Sequence, residues 1–126
     1  MIVASFYAAL LGLLCIVLSV RVIRQRLAKR VSLGDGGDPG LTRASRVFGN
    51  FAEYAALFLV LLALSETLGT PARWLHLYGA AFVVGRLAHA IGVTAGNRGR
   101  QVGMVLTFAA LGALSVSLLI ATVPKL

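Results

Sequence analysis

Apolar residues run almost unbroken through four stretches of the chain, and polar or turn-forming residues collect between them. The stretches cover about 1–21, 47–68, 74–92 and 102–123. A helix rises 1.5 Å per residue, so about 20 residues cross the ~30 Å hydrocarbon core of a bilayer. Each stretch therefore predicts one membrane-spanning helix. The first, up to its terminal Arg21, and the fourth are free of charge, while the second holds Asn50 and Glu53 and the third Arg86 and His89. The first connection, about 22–46, is polar and basic, and its centre, Gly34-Asp35-Gly36-Gly37-Asp38-Pro39-Gly40, breaks any helix. The second, around Gly69-Thr70-Pro71, is short and predicts an antiparallel hairpin; the third, about 93–101, carries Gly96, Asn97, Arg98, Gly99 and Arg100. The expected architecture is all-α: an integral membrane four-helix bundle forming one domain over residues 1–126.

Composition agrees with lipid as the solvent. Of 126 residues, 59% are hydrophobic and only 12 basic and 4 acidic residues carry charge. A soluble domain this small has too much surface for its volume to hide so many apolar groups. The net charge of +8 comes from a shortage of acids (Asp35, Asp38, Glu53, Glu66) rather than from a nucleic-acid-binding stripe, and nucleic acid is not expected as a partner. One cysteine, Cys15, excludes a disulfide framework and a multi-cysteine metal site within one chain, and no metal is expected. Met1–Val20 lacks a basic leader and is longer than the apolar core of a signal peptide, so it is expected to be retained as a span.

The distribution of bases sets a direction. Arg21, Arg24, Arg26, Lys29, Arg30, Arg43, Arg46, Arg98 and Arg100 fall on one side of a four-span arrangement, and only Arg73 and Lys125 on the other. Excess Lys and Arg marks cytoplasmic loops. Both termini are then expected outside the cytoplasm, with Trp74 in the interfacial belt.

The polar residues within the spans are spaced to converge. Arg43, Arg46, Asn50, Glu53 and Tyr54 share one helical stripe, which Leu57 continues as an apolar residue. Arg86 and His89 lie three apart near the corresponding end of the third span. Glu53 and Arg86 each sit roughly 9 Å of helix from that end. Two readings follow: a structural Glu53–Arg86 ion pair, or a polar pocket for a small zwitterion, whose carboxylates bind guanidinium groups and whose ammonium binds Glu53.

The segment Arg43-Ala44-Ser45-Arg46-Val47-Phe48-Gly49-Asn50-Phe51-Ala52-Glu53-Tyr54 resembles the R-x-x-R-x-x-x-N-x-x-E-Y signature of the MAPEG superfamily, membrane-associated proteins in eicosanoid and glutathione metabolism. Arg86-Leu87-Ala88-His89-Ala90-Ile91-Gly92, followed by Arg100-Gln101-Val102-Gly103-Met104, resembles the third and fourth spans of that family, and the chain looks like its short bacterial branch. The resemblance implies a homotrimer of four-helix subunits in a bacterial inner membrane, with glutathione as co-substrate bound between neighbours. It further implies glutathione contacts from Arg46, Asn50, Glu53 and Tyr54, and from an arginine near the end of the first span, for which Arg26 or Arg24 is the candidate. Arg43, Arg86 and His89 complete the expected binding set, and Arg100 is the expected thiolate stabiliser. Partners would be membrane lipid, further copies of the chain and a lipophilic small molecule. His89 and Val93 stand where several eicosanoid enzymes of the family carry Tyr, which points away from eicosanoid synthesis.

The implied activity is that of a glutathione-dependent membrane transferase or peroxidase. The alternatives are a non-catalytic family member that binds lipid, thiol or partner, and, more remotely, a small four-helix exporter. Exporters of that class rely on an acid in the first span, and 1–21 has none.

Overall fold

The computed structural model describes all 126 residues. It contains α1 (Ile2–Lys29), α2 (Pro39–Thr67), α3 (Ala72–Ala95) and α4 (Gly99–Thr122), then a single 3-10 turn at Val123–Lys125, and no strand. All four helices are long and apolar enough to cross a membrane. The all-α, four-span expectation holds.

The helices outrun the apolar stretches at the basic end. α1 continues past Arg21 to Lys29 and α2 begins at Pro39 rather than near Val47, so the first connection shrinks to residues 30–38. Local chemistry sets these ends. Arg30 closes α1 in the left-handed conformation, at φ 55°. Asp38 caps α2 by accepting from the Leu41 amide at 2.8 Å, and Pro39 fills the first helical position, where no amide is needed. Asp35 accepts from the Gly37 amide at 3.0 Å and the Thr42 hydroxyl at 3.1 Å. Lys29 and Asp38 form the chain's one ion pair, at 3.1 Å.

The Gly37 amide, then the Thr42 hydroxyl, hold the Asp35 carboxyl below its ordinary range. The Leu41 amide, then Lys29, do the same for Asp38. A carboxyl with a lowered pKa in the fold contributes fully above its unfolded value of about 4, and that contribution disappears as pH falls through the lowered value. Hydrogen exchange corrected for intrinsic rates is therefore expected to show the Leu41 and Gly37 amides losing protection below about pH 4 while the α2 interior keeps it. Uniform protection down the pH series would contradict this.

Packing begins with α3 against α4. A Cβ at Gly92 would collide with the backbone of Gly99 and Arg100, and one at Gly103 with the backbone of His89 and Gly85. α1 joins through Tyr7, whose ring occupies the space a Gly79 side chain would need and whose hydroxyl donates to the His76 carbonyl at 3.0 Å. α2 stacks Phe58 on Phe82 of α3, centroids 4.0 Å apart and planes within 8°. By contrast, Gly112 has nothing within 4 Å, and Ala109 and Ala113 are exposed, so those small residues of α4 face out of the subunit.

At the end opposite the basic loops, Glu66 of α2 accepts from the Val3 and Ala4 amides at 2.9 and 2.7 Å. It supplies the cap that Met1 lacks and places negative charge at the helix's positive pole.

Candidate functional site

The polar stripe on α2 does not point one way. At about 100° per residue, the buried positions Val47, Phe51, Ala55, Phe58 and Leu62 define its inner face. Tyr54 lies nearest that face, Asn50 roughly 100° from its centre, Arg46 roughly 140° and Glu53 roughly 160°. Tyr54 and Asn50 are accordingly half-buried and Arg46 and Glu53 exposed; Arg43, near the start of α2, is exposed as well.

Between α2, α3 and α4 at the basic end lies a recess of about 200 Å³, with Arg43, Arg46 and Asn50 on one wall, His89 and Val93 on the second and Arg100 on the third. Thr42 closes its rim. A wider open cleft of about 950 Å³ adjoins it, sharing Arg43, Val93 and Arg100 and extending over Asn97, Arg98 and Gln101. Three guanidinium groups line the recess and no carboxylate does. Within one subunit this is an anion-attracting site. His89 is only 6% exposed, and its ring has no hydrogen-bond partner in the chain while it borders the recess.

Arg43, Arg46, Asn50, His89 and Arg100 are thus brought together from the expected set. Four others lie elsewhere. Arg26 donates to the Gly34 carbonyl at 2.8 Å, clamping its own loop. Tyr54 packs edge-on against Phe108, centroids 5.5 Å apart. Glu53 faces outward.

Arg86 is buried, at 2% exposure. Its Nε donates to Thr107 Oγ1 at 3.1 Å, Nη1 donates to Asn50 Oδ1 at 2.6 Å, and Nη2 to the Met104 sulfur at 3.4 Å. The Tyr54 ring lies 5.6 Å below the guanidinium. The Thr107 hydroxyl in turn donates to the Gly103 carbonyl at 2.7 Å.

Of the two readings, the Glu53–Arg86 ion pair does not form within the subunit. The two sit at similar depth, but α2 turns Glu53 almost opposite to its inner face, and Arg86 binds neutral dipoles from α2 and α4 instead. Arg86 ties three helices together and holds Asn50 at the floor of the recess. Thr107 and Met104 had no role assigned from sequence. The available signal was a hydroxyl on an otherwise apolar stretch, four residues after Gly103.

Residues 4–120 match the MAPEG family. The chain is 37% identical over 110 residues to "Inner membrane protein YecN" of Escherichia coli (strain K12), a match covering 86% of this chain and 84% of that protein. The protein of the same name from Escherichia coli O6:H1 matches equally. A family match through all four helices, joined to a relative similar over most of both chains, places the protein in the MAPEG family.

Proposed function

We propose that the protein is a glutathione-dependent transferase or peroxidase of the inner membrane, acting on lipophilic electrophiles or hydroperoxides. The observation that carries this reading is the meeting of Arg43, Arg46, Asn50, His89 and Arg100 on one recess at the basic end. Arg43 and Arg46 bind the carboxylates of the tripeptide, and the Asn50 amide, steadied by Arg86, orients it. Arg100 holds the sulfur. A free thiol has a pKa of about 8.5 and is mostly protonated at neutral pH, whereas the thiolate is the nucleophile. Lowering that value by two units takes about 2.7 kcal/mol, the order that a charge-assisted bond from a guanidinium supplies.

With a chloronitrobenzene, the thiol proton passes to water, a carbon–sulfur bond forms and chloride leaves. With a hydroperoxide, the thiolate takes the terminal oxygen, the alcohol departs, and a second glutathione converts the sulfenic acid to disulfide and water.

Glu53 and Arg46 face away from the core of their own subunit. In a homotrimer that surface meets a neighbour, where Glu53 receives the ammonium group. The concentration of bases at one end supports an orientation with that end in the cytoplasm and both termini outside.

Purified protein in detergent is expected to conjugate glutathione to 1-chloro-2,4-dinitrobenzene or to reduce cumene hydroperoxide. Arg100→Ala should lower kcat/KM about 100-fold, equivalent to about 2.7 kcal/mol. Equal rates for the two proteins would refute the thiolate role.

One observation favours a second reading, binding without turnover: no tyrosine lines the recess, and Tyr54 is committed to Phe108 and Arg86. Saturable glutathione binding by calorimetry, with no product from either substrate, would select it.

A further inference from the structure

We propose that an anionic phospholipid docks lengthwise between α1 and α3, with an acyl chain in an apolar groove and its phosphate on Arg21, Arg24 and Arg43. The groove, about 350 Å³, runs between Leu14, Val17 and Leu18 of α1 and Leu87, Ala90 and Ile91 of α3. At the basic end it opens into a cleft of about 280 Å³ that holds Arg21, Arg24 and Arg43. Arg21 and Thr94 border both spaces, so an apolar channel is continuous with a cationic one.

Depth matches a lipid headgroup. Arg21 lies roughly 29 Å along α1 from Ile2, one hydrocarbon thickness. The joint is also rigid. Arg21 Nη2 donates to Thr94 Oγ1 at 2.7 Å across the two helices, and Thr94 Oγ1 donates to the Ala90 carbonyl at 2.7 Å. This fixes the guanidinium with its other N–H groups free for phosphate oxygens.

No carboxylate lines either space, so the ammonium of a zwitterionic lipid finds no partner there. Basic pockets between spans suit anionic headgroups for this reason. The lipid cleft shares Arg43 with the Arg100 recess, but Arg21 and Arg24 line the cleft alone, so the arginine variants change only those two.

The test is native mass spectrometry of the full chain in detergent, titrated with dioleoyl phosphatidylglycerol, dioleoyl phosphatidylcholine and glycerol 3-phosphate. Phosphatidylglycerol is expected to bind at least tenfold more tightly than phosphatidylcholine, and glycerol 3-phosphate not to displace it. The Arg21→Gln/Arg24→Gln double variant should lose the tenfold preference, and Arg21→Lys/Arg24→Lys should keep it. Leu87→Trp, which fills the groove without altering charge, should weaken phosphatidylglycerol several-fold. Equal binding of the two lipids, or a preference that survives the Gln variant, would overturn the headgroup assignment, as would its loss in a helical Lys variant. Displacement by glycerol 3-phosphate, or binding unchanged by Leu87→Trp, would overturn the acyl-chain half.

Discussion

Gly103→Val is expected to separate α3 from α4, while Gly112→Ala, further along the same helix, leaves the bundle intact. A Cβ at Gly103 would collide with the His89 amide nitrogen and lie 2.5 Å from the Gly85 carbonyl oxygen. Both are backbone atoms and cannot swing aside as a side chain does. Relief requires the helices to part by about 1 Å, given ordinary carbon contacts of about 3.5–4 Å. Thr107 sits one turn beyond Gly103, so the same movement stretches the 3.1 Å bond from Arg86. Overpacking in a well-packed core costs about 1–3 kcal/mol. The upper end or more applies here, because the obstruction is backbone on both sides. Gly112 has open space around it, and an alanine there gains helix propensity of about 0.5–1 kcal/mol at most. Reversible unfolding in mixed micelles measures both. The α3 end of the recess moves with Gly103, so the valine variant should also lose glutathione binding. Comparable stability of the two variants would mean that α4 does not meet α3 through its glycines.

The spans and hairpins were legible because crossing a bilayer demands long apolar runs, and the Gly34–Gly40 segment marks the break between the first two helices in residues that resist helix. The helical extensions to Lys29 and from Pro39 were not legible. Outside the membrane no hydrophobic period is required, and the end points depend on caps such as Asp38 and the left-handed Arg30. Gly79, Gly85 and Gly92 of α3 and Gly103 of α4 allow close approach, but Ala109, Gly112 and Ala113 are equally small and face outward. Small residues permit contact without saying which side makes it.

The site divides in the same way. Spacing placed Arg43, Arg46 and Asn50 on one stripe, and His89 near the corresponding end of the third span. Spacing does not give the rotation of a helix against its neighbours, which is fixed by large side chains such as Phe58 and Phe82. That rotation sends Glu53 outward and turns Asn50 toward Arg86. Glu66 was visible only as one of four acids; its role depends on the amides of Val3 and Ala4, more than 60 residues away in sequence.

Arg86→Met and Asn50→Leu are each expected to destabilise the bundle, and the double variant to recover part of the loss. Arg86 brings a buried charge into the bundle without a carboxylate, so its desolvation is offset only by Asn50, Thr107, Met104 and the Tyr54 ring. Methionine removes that charge and fills most of the volume, but it strands Asn50 Oδ1. Asn50 is half-buried, so the stranded acceptor costs toward the lower end of about 1–3 kcal/mol, and the lost cation–π contact up to about 2. A net loss of about 3 kcal/mol follows for Arg86→Met. Asn50→Leu leaves the guanidinium short of its nearest acceptor and should cost about 2–3 kcal/mol, the order for a hydrogen bond to a charged group. With both replaced, neither a stranded acceptor nor an unpaired charge remains, and the coupling energy should be favourable by at least about 1 kcal/mol. Additive losses would mean that the two residues act independently. Function separates Arg86 from the recess it supports. Because Arg86 reaches the tripeptide only through Asn50, Arg86→Met should raise the KM for glutathione with little change in kcat, whereas Arg100→Ala should act on kcat. A fall in kcat for Arg86→Met as large as that for Arg100→Ala would place the Arg86 guanidinium at the reacting sulfur rather than behind Asn50.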